Sequence, residues 1–255
     1  MSRLTHLSLF TGIGGLDLAA EWAGFETAGQ CEWANYPTKV LEKHWPDVPR
    51  WRNIRTLTGE SFYERTGVRT VDVVSGGPPC QPHSIVGKRK GEADSRNMWD
   101  EYRRIVSEVR PTWAIIENVG GFLYTVHDAV CTDLEDMGYS TSAFSVPAYA
   151  VAAPHERYRV FIVAYANSKP ELEANSSADR ERTFADSWKH IMRRPWDCLP
   201  GAYWATHKSP VCGMDDGISG GMGRYIAQMT ALGNAVVPQQ AYPIFAAIAE
   251  WETGR

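Results

Sequence analysis

The chain has no apolar run long enough to cross a bilayer. Its opening residues hold too short an apolar stretch for a secretion signal before glycines intervene. A cytoplasmic protein with no membrane partner is expected. It has no Cys-x-x-Cys pair. Its five cysteines, Cys31, Cys80, Cys131, Cys198 and Cys212, are odd in number and scattered, which argues against a disulfide framework and a zinc site. No metal is expected. There is no internal repeat, and no surplus of positive charge, the formal net charge being -4. That balance argues mildly against a dedicated nucleic-acid binder, although distribution weighs more than the sum.

What is present is an ordinary globular composition. The 255 residues, 44% hydrophobic and 22% charged, suit one large α/β domain or one domain with a smaller insert. The organising stretch is residues 71–82. Val71, Val73 and Val74 read as a buried strand, which Gly76, Gly77, Pro78 and Pro79 are expected to stop at once. Cys80 follows on this stiff turn, and then come Lys88, Arg89, Lys90 and Arg96. A thiol beside cations is favoured as the nucleophilic thiolate. Taken alone, Cys80 could equally be a buried structural cysteine. Residues 83–97 and 180–208 are both locally basic and could bind phosphates, or could be solvated faces.

Strands and helices are expected to alternate. A strand over 6–10 leads into the turn Thr11-Gly12-Ile13-Gly14-Gly15 and a helix over 16–22. Asp17 stands where the dinucleotide fingerprint needs its third glycine, so a nicotinamide cofactor is disfavoured. A second strand over 26–32 ends at Glu32, twenty residues after Gly12, the spacing of a carboxylate that binds ribose hydroxyls; a solvated helix-entry acid is the alternative. A helix over 36–45 and an irregular stretch over 50–57 precede the strand into Cys80. An amphipathic helix over 97–109 is followed by a strand ending at Glu117-Asn118-Val119. The pattern is that of a doubly wound, mostly parallel α/β sheet, whose strand C-termini line the ligand crevice. Phe10, Glu32, Cys80 and Glu117 all fall there. A helix over 124–137, a hairpin-like strand pair over 140–149 and 159–165, and a strong amphipathic helix over 239–251 complete the reading. Strand alternation would put His155, Arg157 and Arg159 on one face, to meet an anion or base carbonyl or to form edge ion pairs. Residues 168–222 read as a small irregular region between a domain over 1–167 and a segment over 223–255 that packs back on it.

In this order the motifs resemble the cytosine-C5 DNA methyltransferase family. Phe10-Thr11-Gly12-Ile13-Gly14-Gly15 looks like its cofactor loop. Glu32-Trp33 looks like its ribose acid and adenine-packing aromatic, Gly77-Pro78-Pro79-Cys80-Gln81-Pro82 its nucleophile loop, and Glu117-Asn118-Val119 its acid motif. Arg157-x-Arg159 looks like its arginine pair, and Gly233-Asn234-Ala235-Val236 its C-terminal motif. The resemblance covers residues 4–166 and 224–250. Three positions depart from the pattern: His83 replaces Phe, His155 replaces Gln, and Asn53 replaces Asp. The 168–222 region lacks a clear match to the motif that organises target recognition.

The resemblance implies the methyltransferase type of α/β fold and a monomeric enzyme of DNA methylation, such as serves restriction-modification. It would transfer methyl from S-adenosylmethionine to C5 of a flipped cytosine in duplex DNA. Cys80, Glu117, Arg157 and Arg159 would be catalytic. Phe10, Thr11, Gly12, Gly14, Gly15, Glu32, Trp33, Asn53, Ile54, Pro78, Asn234 and Val236 would hold the cofactor. Gln81, Ser84, Lys88, Arg89, Lys90 and Arg96 would contact DNA. A tRNA cytosine methyltransferase of the same superfamily ranks second, a catalytically silent DNA-binding regulator lower. A redox-thiol oxidoreductase is disfavoured by Asp17 and by the lack of a cysteine partner near Cys80.

Overall fold

The computed structural model describes residues 3–79, 98–119, 127–151, 153, 156–167 and 230–254. The region 168–222, with the boundary expected there, lies outside them. So do Cys80, Gln81, His83, Ser84, Lys88, Arg89, Lys90, Arg96 and His155.

Seven strands form one sheet: β1 (Thr5–Leu9), β2 (Glu26–Cys31), β3 (Arg50–Trp51), β4 (Val73–Gly76), β5 (Trp113–Val119), β6 (Tyr139–Val146) and β7 (Arg159–Ala166). Their order is β3-β2-β1-β4-β5-β7-β6. The first five pair parallel, while β7 runs antiparallel to both neighbours. Among the described residues, the helices that accompany them include α1 (Gly15–Trp22), α2 (Asn35–His44), α3 (Gly59–Thr66), α4 (Met98–Val109), α5 (His127–Asp136) and α6 (Pro238–Thr253). Among the described residues, no helix is long and apolar enough to cross a membrane.

The inner strands β1, β4, β5 and β7 are buried on both faces, which is why they read as largely apolar runs. Alternation sorts each strand between two cores. Ala114, Ile116, Ile162 and Ala164 join Phe62 of α3, Tyr102 and Ile105 of α4, and Leu134 of α5. Trp113, Ile115, Phe161 and Val163 join Leu16, Ala19 and Ala20 of α1 and Ile244, Phe245 and Ile248 of α6. Burial of this extent is the main favourable term in folding.

Four expectations change. Gly76 does not stop β4 but pairs with Ile116, and a Cβ there would stand 2.5 Å from Leu9 O, so glycine permits close strand approach. The 50–57 stretch contains β3, whose two residues carry no hydrophobic period. The 140–165 pair is part of the main sheet, because β7 inserts between β5 and β6. Arg157 and Arg159 do not share a strand face: β7 begins at Arg159, and Arg157 has φ 26°. The antiparallel direction of β7 matters for the site. It brings Arg159, opposite Val119, to the edge where the parallel strands end.

Candidate active site

That edge opens into a cleft of about 1080 Å³. Its walls come from the segments that follow β1, β2, β3 and β4, from the end of β5, from the start of β7, and from Thr230, Ala231, Gly233 and Asn234. This is where an open α/β sheet binds its ligand. Of the residues expected at a cofactor, Phe10, Gly12, Glu32, Trp33, Asn53, Ile54, Pro78 and Asn234 line it.

The loop after β1 is held open by backbone conformation. Phe10 has φ 51° and Gly12 has φ 59°. For Phe10 the left-handed conformation costs about 1–2 kcal/mol. Glu32 fixes the loop: its Oε2 accepts from Gly12 N at 2.7 Å and its Oε1 from Ala34 N at 2.7 Å. Each carboxylate oxygen has a second lone pair, so ribose hydroxyls can still donate to it. The neighbouring Trp33 is 74% exposed, an unusual state for an indole, and offers a flat face to an aromatic ring. Asn53 caps a short 3₁₀ turn, its Oδ1 accepting from Arg55 N at 3.0 Å, which leaves that oxygen one further lone pair.

The other expected cofactor residues stand behind the cleft lining. Thr11 donates from Oγ1 to Ser8 O and Cys31 O and ties the loop to β2. Gly14 lies under Trp45, with φ 91° and only 2.4 Å between a Cβ and that ring. Gly15 lies against Val236, whose carbonyl oxygen is 2.4 Å from a Cβ. These glycines serve packing, Gly14 against Trp45 and Gly15 against Val236. Beneath them Asp17, fully buried, accepts from Ser8 Oγ at 2.9 Å and Gln30 Nε2 at 2.8 Å. Burial pushes its carboxyl up to about 6, against the pull of those hydrogen bonds.

Glu117 stands across the cleft near the end of β5, 8% exposed. Arg159 Nε donates to its Oε1 at 2.7 Å. Its Oε2 lies over Gly77, where a Cβ would be 2.6 Å away. Burial pushes this carboxyl above its ordinary value; Arg159 and then Arg157 pull it down, and burial prevails. Arg159 thus engages Oε1, while Oε2 faces Gly77. Asn118 Nδ2 donates to Pro78 O at 3.2 Å, fixing the entry to Cys80 against β5.

Arg157 does something else. Its Nη2 donates to Gly233 O at 2.7 Å and to Ala235 O. Gln240 Nε2 in turn donates to Arg157 O at 2.9 Å and Val146 O at 2.6 Å. Arg157 is thereby the tie that holds the Asn234 segment over the cleft. Gln240 was not legible in the sequence, since one of two adjacent glutamines at the start of an apolar helix carries no spacing signal. Tyr36, Arg55 and Met98 also line the cleft without any motif marking them. Arg157→Met is expected to cost about 1.5 kcal/mol, the low end for hydrogen bonds from a charged group. The thermal midpoint should fall by a few degrees. An unchanged midpoint would show that residues 233–235 do not depend on it.

Among the described residues, no cluster of His, Cys, Asp and Glu could hold a metal ion. The chain matches the model of the C-5 cytosine-specific DNA methylase family over residues 4–204. The match runs on into the 168–222 region and does not include 224–250. The chain is 31% identical over 202 residues to the type II methyltransferase M.NgoPII of Neisseria gonorrhoeae, covering 75% of this chain and 56% of that protein. It is 34% identical over 173 residues to M.AquIA of a Picosynechococcus strain, covering 62% and 70%. The Dnmt2 methyltransferase of S. pombe shares the fold, with TM-score 0.56 and 22% identity over 72% of this chain and 60% of that one. Several curated relatives are matched over about half of their own length. The sheet order, the strand-end cleft and the matched sequence agree, and the chain belongs to the C-5 cytosine-specific DNA methylase family.

Proposed function

We propose that this protein transfers a methyl group from S-adenosylmethionine to C5 of a cytosine flipped out of duplex DNA. The observation that carries the reading is the Glu117–Arg159 pair, buried at the cleft and packed against Gly77, on the segment that runs directly into Cys80. The residues present fit the cofactor. Glu32 keeps acceptor capacity, the Trp33 indole is bare at the cleft, and Asn53 and Ile54 face it from β3's end. S-adenosylmethionine supplies an electrophilic methyl group there.

The chain's own groups do the rest. The Cys80 thiolate adds to cytosine C6, and the electron pair moves into the ring to make C5 nucleophilic. Glu117, protonated on Oε2, donates to N3 and stabilises the charge that arises there, while Arg159 holds it and reaches the base O2. The nucleophilic C5 would then accept the methyl group that bound S-adenosylmethionine would supply, with S-adenosylhomocysteine as the co-product. A base then removes the C5 proton, and Cys80 leaves as thiolate. Extrusion of the base from the stack lets these groups reach it. Gln81, Ser84, Lys88, Arg89, Lys90 and Arg96 supply the duplex contacts, the basic ones through phosphates.

The test mixes the protein with methyl-labelled S-adenosylmethionine and either duplex DNA or tRNA. Label in DNA as 5-methylcytosine is the expected result. Label in tRNA alone would move the substrate to RNA, and label in neither, with the cofactor bound, would refute the reading.

A further inference from the structure

The wall of the cleft beyond the end of β3 is built from residues 53–55, a short 3₁₀ turn. Ile54 and Leu57 anchor it in the core, and further polar support comes from α4, the helix that begins where the nucleophile segment 80–97 ends. Three residues on one face of α4 reach across. Arg104 Nη2 donates to Ile54 O at 2.9 Å and to Leu57 O at 3.0 Å. Its Nε donates to Glu101 Oε2 at 2.9 Å, and its Nη1 to Glu108 Oε1 at 2.9 Å. Glu108 extends the contact, accepting from Gly59 N at 2.8 Å through Oε2, and Glu101 Oε1 lies 3.5 Å from Arg55 Nε. A planar guanidinium is suited to this task, because its fixed fork serves two carboxylates and two carbonyls at once, and a lysine ammonium cannot. Met98, at the start of α4, itself lines the cleft.

We propose that Arg104 is a positioning residue for the cofactor site: it clamps the 54–57 turn to α4 and so sets where Asn53 and Ile54 present themselves to the bound nucleoside. It touches neither cofactor nor base. Its two carbonyl acceptors are the outer face of the turn whose inner face lines the cleft. The motifs at the strand ends do not include it, and its neighbours Glu101 and Glu108 reinforce it at i−3 and i+4. The inference rests on the reading of the cleft as an S-adenosylmethionine site.

The test measures binding and not activity alone. Wild type, Arg104→Lys, Arg104→Met and Glu108→Gln are titrated with S-adenosylhomocysteine by calorimetry at 25 °C, after thermal melts establish that each is folded there. Arg104→Met is expected to raise the cofactor Kd about tenfold, the order that losing hydrogen bonds from a charged donor produces. Its KM for S-adenosylmethionine should rise in step while kcat changes less than about threefold, since uniform binding is lost and transition-state contacts are kept. Arg104→Lys keeps the charge near Glu101 and Glu108 and is expected to recover the melting temperature but not the Kd. A merely structural arginine would give the reverse: Kd would be unchanged in every folded variant, and that result overturns the proposal. If Arg104→Met does not fold, Arg104→Lys and Glu108→Gln carry the test, and wild-type Kd in both overturns it equally. Wild type that binds no S-adenosylhomocysteine would refute the cofactor reading itself, and the clamp with it, a result distinct from wild type binding while the variants match it.

Discussion

Glu117→Gln is expected to lower methyl transfer by about 10³-fold, within the range that a positioned general acid contributes. The substitution preserves size and keeps an oxygen for Arg159, so the pocket should persist. It removes the proton that Oε2 would deliver to cytosine N3. The pH dependence gives this its sign. Burial raises the Glu117 pKa above its ordinary value, with Arg159 and Arg157 opposing. The protonated form is the active one, so its contribution is full at low pH and is lost as pH rises through the raised pKa. The thiol of Cys80 must lose a proton to react, so its contribution grows as pH rises. The profile of kcat/KM should therefore be a bell, and Glu117→Gln should abolish the descending limb. A glutamine variant with wild-type rate, or with the descending limb intact, would assign the acid to another group. The same raised pKa makes a stability statement. Glu117 favours the folded state fully below its unfolded pKa, and that contribution is lost as pH rises through its folded value.

Cys80→Ser is expected to have a larger effect, with methyl transfer falling by about 10⁴-fold or more, since removing the nucleophile closes the covalent route. Serine is nearly isosteric, but its hydroxyl holds its proton near neutral pH. Cofactor binding should survive, because Phe10, Glu32, Trp33, Asn53 and Ile54 face the cleft from other strand ends. Steady-state label transfer and cofactor titration on the same preparation separate the two. Retained affinity with lost transfer is the expected pair of results. Loss of both would mean that Cys80 supports the cleft and does not react in it.

The parts of this site visible in the sequence were those that a strand end dictates. A buried strand announces itself by an apolar run, and its last residue in a doubly wound sheet faces the crevice, so Phe10, Glu32 and Glu117 could be placed together in advance. What long-range packing decides was hidden. Gly14 and Gly15 looked like residues that admit a ligand, yet Trp45 and Val236 fill the space a side chain would take, and neither contact has a local signature. β3 escaped because it is held by backbone bonds, Gln30 N to Pro49 O and Glu32 N to Trp51 O, with no periodic side chains to mark it. Arg157 was expected beside Arg159 by strand alternation, which fails where φ turns positive one residue pair before β7 begins. Its true partners, the carbonyls of Gly233 and Ala235, lie more than seventy residues away. Arg104 belongs to the same class. Its spacing from Glu101 and Glu108 reads as an exposed salt-bridged helix face, and only the fold reveals Ile54 and Leu57 beneath it.

The central claim is that Cys80 attacks cytosine C6 while Glu117 and Arg159 hold the base. Fluorine at C5 leaves no proton to remove, so the enzyme–DNA bond, once formed and methylated, cannot resolve. The deciding measurement incubates the protein with S-adenosylmethionine and duplex DNA carrying 5-fluorocytosine, then resolves the products under denaturing conditions. The account predicts a covalent protein–DNA species that maps to Cys80 on peptide analysis, forms far more slowly with Glu117→Gln, and is absent with Cys80→Ser. Methyl transfer to unmodified DNA with no trapped species on the fluorinated duplex, or trapping at a residue other than Cys80, would contradict it.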